Sequence, residues 1–272
     1  MNSDNHPAHM HKTAKEIAKK AITVSASDSL SNARDLMLRN NISRVIVAAG
    51  SNPVGMVTEK GIAGYIYKES SKPLDRIRVS KAMRAPLLTI DADEDVRTCA
   101  AKMLEQDISS LVVTGKQPML ITKSDLVRYF EENFKGRYLV EHFMTRKVVK
   151  ISPSHSIHTA VSVMIKNNIS RVLVTKDSRL VGIVTSRDLM PVTSFAEDDL
   201  DESEGLVGVG HVMLAKDVMK KPLTIDMGKD LADAARIMVE KKISGLPVVD
   251  ADGNLRGVVS KTDVVRALSK SK

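Results

Sequence analysis

The chain has 272 residues, enough for two ordinary domains, and 43% of them are hydrophobic, with no Trp and 3% aromatic, so its cores are built from Ile, Val, Leu, Met and Ala. Its net charge of +8 is evenly shared: residues 1–136 hold 20 Lys/Arg against 16 Asp/Glu, and residues 137–272 hold 21 against 17. That balance suits small anionic ligands or weak polyanion attraction, and it argues against the concentrated basic stripe of a dedicated nucleic-acid reader.

Residues 1–11 are polar and are expected to form a disordered tail. His6, His9 and His11 lie in or beside it without the acids or cysteines that would make them a metal site. Lys12–Lys20 reads as a basic lead-in helix. A helical segment follows with apolar anchors at Leu30, Ala33 and Met37, then Ile42-Ser43 and Arg44. Gly55-Met56-Val57-Thr58-Glu59-Lys60-Gly61 comes next, a short apolar strand that stops at a hydroxyl. The connection 62–82 carries Tyr65, Tyr67 and Pro73 and is helical through Tyr67 in this reading.

The same series then recurs without gaps. Val96, Cys99 and Met103 precede Ile108-Ser109, and Met119-Leu120-Ile121-Thr122-Lys123-Ser124-Asp125 follows. The single Cys excludes an internal disulfide framework, and Cys99 fills a slot that is Ala in the other copies, so it reads as a small core residue. Lys135-Gly136-Arg137 is a natural hinge.

The third copy has Ile157, Ala160 and Met164, Ile169-Ser170, Arg171, and Val181-Gly182-Ile183-Val184-Thr185-Ser186-Arg187-Asp188. Its elements are expected at Val148–Ser152, Ile157–Asn167, Arg171–Thr175 and Leu180–Thr185, then a short helix from Ser186. His155 and His158 could form a metal pair, but no third ligand is in sight. Residues 193–211 form a linker with the acidic run 197–204, read as a solvated loop. Leu231, Ala234, Met238, Ile243-Ser244 and Gly257-Val258-Val259-Ser260-Lys261-Thr262-Asp263 complete a fourth copy.

The 0, 3, 7 spacing of the anchors marks one buried helix face, and repetition at this length marks tandem units that complete one another's cores. Each unit reads strand, helix, strand, turn, strand, helix, which is an α/β class. The hydroxyl and the acid three residues on form the pattern of a capping box. A helix start also offers N–H groups and partial positive charge to a phosphate. Both readings fit the residues.

Met144-Thr145-Arg146-Lys147-Val148, Met219-Lys220-Lys221-Pro222-Leu223-Thr224-Ile225, Ile243-Ser244-Gly245-Leu246-Pro247-Val248-Val249-Asp250 and Gly182-Ile183-Val184-Thr185-Ser186-Arg187-Asp188 form one recurring pattern. In these residues the chain resembles the CBS domain family. The likeness implies four β-α-β-β-α repeats assembled as two pseudo-twofold modules. Residues 12–134 would be the first pair (repeats about 12–68 and 79–134) and 137–272 the second (about 137–192 and 212–272).

It also implies a non-catalytic sensor that binds AMP, ADP, ATP or S-adenosylmethionine as a regulatory ligand in clefts between paired repeats, with a change of module geometry. The implied ligand residues are Thr185, Asp188, Arg171 and Gly182 in repeat three, Ser260 and Asp263 in repeat four, Thr122 and Asp125 in repeat two, and Thr58 and Arg44 in repeat one. Repeat one offers Gly61 in place of the acid, which puts its ribose contact in doubt. A homo-oligomer or an unidentified partner protein would read the change.

The alternatives are a ligand-free scaffold and a weak nucleic-acid module. Four Tyr, four Phe and no Trp leave little for base stacking. No His-Glu-x-x-His, Gly-x-Ser-x-Gly, Walker or Gly-x-Gly-x-x-Gly pattern argues for turnover, and no metal or catalytic cofactor is expected. No apolar run approaches the roughly 18 to 20 residues that span a bilayer, and no signal-peptide pattern opens the chain, so a soluble cytoplasmic product is expected.

Overall fold

The structure is a computed structural model that describes residues 12–50, 52–69, 73–115, 117–189 and 213–271. The N-terminal tail, with His6, His9 and His11, and the acidic run 197–204 lie outside the described residues.

All four repeats open their long helix the same way. Ser29, Asp95, Ser156 and Asp230 stand just before the first anchor, and their side chains accept from the N–H groups of Asn32, Arg97, Thr159 and Ala232. The helices Leu30–Arg39, Val96–Glu105, Ile157–Lys166 and Leu231–Glu240 are therefore capped where the apolar spacing begins. Their anchors are buried. The helices end alike too: Asn41, Asp107, Asn168 and Lys242 take positive φ. The N–H of Ile42, Ile108, Ile169 and Ile243 then reaches back to the carbonyl of Met37, Met103, Met164 and Met238, at 2.9, 3.0, 2.9 and 3.1 Å. This is the Schellman closure, with its apolar contact built from the same Met and Ile. It accounts for the spacing of those two residues in all four copies.

Each repeat carries a small sheet of one order: a short first strand parallel to a central strand, which pairs antiparallel with the strand leading into the Thr/Ser motif. The triplets are Thr23–Ser25, Arg44–Ala49 and Asn52–Thr58 in repeat one and Thr89–Ile90, Ser110–Val113 and Met119–Thr122 in repeat two. They are Lys150–Ile151, Arg171–Lys176 and Arg179–Thr185 in repeat three and Ile225–Asp226, Gly245–Val249 and Leu255–Ser260 in repeat four. In repeat three the hairpin turns on Asp177 and Ser178, both at positive φ, as a two-residue turn of matching twist requires. The α/β repeat fold expected from the sequence is present in all four copies.

Two expectations change in detail. Lys12–Lys20 is not one helix: Ala14–Ile17 is helical, Ala18 is extended, and Lys19–Lys20 pairs antiparallel with Met119 and Leu120. In repeat three Ser186–Leu189 is a turn, and the chain beyond it lies outside the described residues.

The chain divides into two compact units. One takes the described residues of Met1–Lys20, Leu88–Arg146 and Thr224–Lys272, which hold the bodies of repeats two and four. A single apolar core runs through it, from Val96 and Met103 to Val264 and Leu268, with Phe130 stacked on Phe134. The other takes Ala21–Leu87 and Lys147–Leu223, the bodies of repeats one and three, and has one apolar cluster per repeat. The densest packing thus groups repeats that are not neighbours in the chain, where the sequence reading expects one to pair with two and three with four.

What links chain neighbours is an exchange of lead-ins, the segments just before each repeat's first strand, which carry Lys19–Lys20, Arg84, Thr145 and Lys220 in repeats one to four. Repeat one's lead-in lies on repeat two, and repeat two's on repeat one, through the bridge of Arg84 to Met56. Repeat three's lies on repeat four through Thr145 and Val258, and repeat four's on repeat three through Lys220 and Ile183.

Candidate functional site

The Thr/Ser motif sits where a sheet strand ends and a helix or turn starts. The register places Arg44 directly opposite Thr58 and Arg171 directly opposite Thr185, with Ser110 facing Thr122 and Gly245 facing Ser260. Opposed residues of an antiparallel pair share a face, so in repeats one and three a guanidinium-bearing residue and the hydroxyl are side by side. The next N–H in each copy (Glu59, Lys123, Ser186, Lys261) donates to the carbonyl of Ser43, Ser109, Ser170 or Ser244 at 3.0–3.1 Å. That bond locks the strand end to the serine that follows each Ile.

The acid then closes the element. Asp188 Oδ2 accepts from the Thr185 N–H at 2.9 Å and its hydroxyl at 2.5 Å. Asp125 Oδ2 accepts from Thr122 at 2.9 and 2.6 Å, and Asp263 Oδ2 from Ser260 at 2.8 and 2.7 Å. The capping expectation holds in all three. In repeat one, Gly61 donates its N–H to the Thr58 hydroxyl at 3.0 Å and no carboxylate is present.

The second carboxylate oxygen is used differently. Asp188 Oδ1 meets Lys220 Nζ at 2.5 Å, Asp125 Oδ1 meets Lys19 Nζ at 2.6 Å, and Asp263 Oδ1 accepts from Arg266 of its own helix at 2.8 Å. The three aspartate side chains are 6%, 6% and 2% exposed, whereas the two lysines are 70% and 65% exposed. In repeats two and three a nearly buried carboxylate thus keeps one oxygen in the local cap and the other under a well-exposed ammonium. Such an oxygen can accept from a hydroxyl pair or hold a cation.

Gly182 has a reason other than ligand contact. Met219, on the crossing lead-in, stands where a β carbon would sit. Gly257 is shaped by the same crossing, since a β carbon there would lie 2.8 Å from the Thr145 carbonyl oxygen. Repeat two has Met119 at this position and receives Lys19–Lys20 as a fourth strand instead.

Reasoning from the sequence missed Lys19 and Lys220, which reach the acids from another repeat's lead-in. A signal existed: the residue after the lead-in's last apolar position is basic in Ala18-Lys19, Met83-Arg84 and Met219-Lys220. His155 Nδ1 accepts from the Ser152 N–H at 2.9 Å, so His155 is part of the local turn before the helix. Among the described residues no group of three or more His, Cys, Asp or Glu is placed to hold a metal, and no helix is long and apolar enough to cross a membrane.

A model of the CBS domain matches residues 14–68, 79–132, 140–193 and 215–270. The chain belongs to the CBS domain family. The four matches coincide with the four repeats, and the matched family accounts for most of the chain. Uncharacterized protein MJ1225 of Methanocaldococcus jannaschii is 24% identical over 267 residues, covering 91% of this chain and 95% of that one. Its crystal structure superposes with a TM-score of 0.84 at 23% identity, covering 94% of this chain and 99% of that one, which shows a shared CBS fold. Uncharacterized protein MJ1404 of the same organism is 33% identical over 249 residues, covering 82% of this chain and 58% of its own. CBS domain-containing protein CBSX2 of Arabidopsis thaliana is 32% identical over 152 residues, 48% of this chain and 64% of that one. The chain therefore spans less than two thirds of these last two relatives.

Proposed function

We propose that this CBS protein is a non-catalytic regulatory module that binds an adenosyl ligand at its Thr/Ser-x-x-Asp elements and passes occupancy to a partner. The observation that carries the reading is the repeated carboxylate: Asp125, Asp188 and Asp263 each fix one oxygen in the local cap and leave the other to a cation. That oxygen accepts a ribose hydroxyl, while the motif hydroxyl and the opposed arginine face the phosphate side. CBS resemblance supplies the adenine. Repeat three is the strongest site, because Asp188, Thr185 and Arg171 coincide there. Repeat one, with Gly61, is weak or empty.

Ligand at a strand end touches a lead-in that belongs to the neighbouring repeat. The exchange favours functional pairs in chain order, one with two and three with four, and gives occupancy a route to module geometry. The reader is a second copy or another protein.

A thermal-shift panel tests the reading. Adenine nucleotides or S-adenosylmethionine are expected to raise the melting temperature more than guanine or pyrimidine nucleotides. A panel flat for every adenosyl compound at millimolar concentration would favour a scaffold, in which the satisfied capping boxes are the whole purpose of the motif.

A further inference from the structure

We propose that Lys220 and Lys19 select 5′-phosphorylated adenosyl ligands at repeats three and two, by occupying the aspartate until a phosphate takes the ammonium over. The proposal rests on the reading of Asp188 and Asp125 as ribose acids and names the class of ligand that they admit.

The two lysines hold equivalent places. Lys220 pairs with Ile183 and Lys19 with Leu120, one residue after the Gly182 or Met119 position of the strand. The Lys220 backbone is pinned to Ile183 by two hydrogen bonds of 3.0 Å. The lead-in therefore stays when a ribose takes Oδ1, and only the side chain swings on its flexible four-carbon stem. The displaced ammonium remains beside the ligand that displaced it.

What the ligand carries next to its ribose then decides the balance. A 5′-phosphate gives the ammonium a new charge-assisted partner. Adenosine gives it none. The sulfonium of S-adenosylmethionine repels it, although that ligand's distant carboxylate bears the opposite charge. Displacement itself costs little, because an ion pair with so exposed a lysine is a weak one. Phosphate capture is therefore the larger effect of the two.

The other repeats serve as internal contrasts. Repeat four has Thr145 at this place, and Asp263 pairs with Arg266 of its own helix. Repeat one has Arg84 there but no acid for it to cover, since Gly61 fills that position. The lysine and the acid occur together in repeats two and three.

The test is calorimetric titration of the full chain with AMP, adenosine and S-adenosylmethionine, comparing wild type with Lys19→Met/Lys220→Met. The double variant is expected to bind adenosine about two- to fivefold tighter and AMP about tenfold weaker, so that the preference for AMP over adenosine falls by more than about tenfold. A melt of each unliganded protein checks folding, and Lys19→Gln/Lys220→Gln replaces the Met variant if that one is unfolded. An unchanged AMP-to-adenosine ratio in a variant that binds both overturns the proposal while leaving the ribose-acid reading in place. A wild type that binds none of the three overturns that reading, and the proposal with it.

Discussion

Arg187 donates two hydrogen bonds to one buried oxygen of Glu59, from Nε at 2.9 Å and Nη2 at 2.8 Å, and a further one to Asn41. Glu59 follows Thr58 and Arg187 is two residues after Thr185, so the pair ties the motif of repeat one to that of repeat three. The unit built on repeats two and four has an uncharged-acceptor version of the same tie: Lys123 donates to Thr262 at 3.0 Å and Lys261 to Ser124 at 2.8 Å. Removing the arginine leaves a buried carboxylate poorly compensated. Arg187→Met should lower stability by about 1–3 kcal/mol at neutral pH, a range kept below that of a fully buried pair because Arg187 is a third exposed. Denaturant unfolding measures it.

The same pair makes a pH prediction. Burial pushes the Glu59 carboxyl above its ordinary value of 4.5, and Arg187 pulls the other way without cancelling the shift. With the folded pKa above the unfolded one, protonation favours the folded state. The contribution is full below the ordinary value and is lost as pH rises through the raised one. Glu59→Gln should remove it, so the stability of wild type relative to the variant should fall as pH rises across that window. A difference that is constant with pH would contradict the assignment.

Gly257 tests the lead-in crossing. Gly257→Ala sets a methyl group 2.8 Å from the Thr145 carbonyl, and the backbone must give way. We expect a loss of about 1–3 kcal/mol. Gly115→Ala, where nothing lies within 4 Å, should change stability by less than about 0.5 kcal/mol. Equal melting temperatures for the two variants would remove the crossing as the reason for the glycine.

Cys99 is fully buried among core residues, and that burial pushes its thiol up to about 12. The thiolate is the reactive form, so a thiol reagent at neutral pH should label the native protein only as fast as it unfolds and the denatured protein at once. Fast stoichiometric labelling of folded protein would show that the site opens locally.

Much of this was legible because it is local. The Met and Ile that close each helix are five residues apart and the hydroxyl and its acid three, so each pair shows in the spacing; the caps at Ser29, Asp95, Ser156 and Asp230 are as local but were not singled out. Arg171 was legible as a candidate, and the strand register puts it opposite Thr185. The rest depends on chain crossings that no spacing encodes. Gly182 reads as a ligand contact in the sequence, and the close approach of Met219 that also requires a glycine there comes from a crossing lead-in. Lys220 enters the sequence reading only within the segment Met219–Ile225, and its partner Asp188 lies in a different repeat. The grouping of repeat one with three and two with four follows from helix faces meeting across long sequence separations, which repeat order alone does not reveal.

The motif acid, in this reading, binds ligand as well as capping its own turn. Calorimetry of AMP binding to wild type and Asp188→Ala, with a melt of each unliganded protein, tests it most directly. Loss of the charged acceptor should weaken the tightest site about ten- to a hundredfold, from hydrogen bonds worth roughly 1.5–3 kcal/mol, beyond the loss of about 1 kcal/mol of stability expected from the cap alone. A lowered melting temperature with AMP affinity unchanged would contradict the account and leave Asp188 as a capping residue.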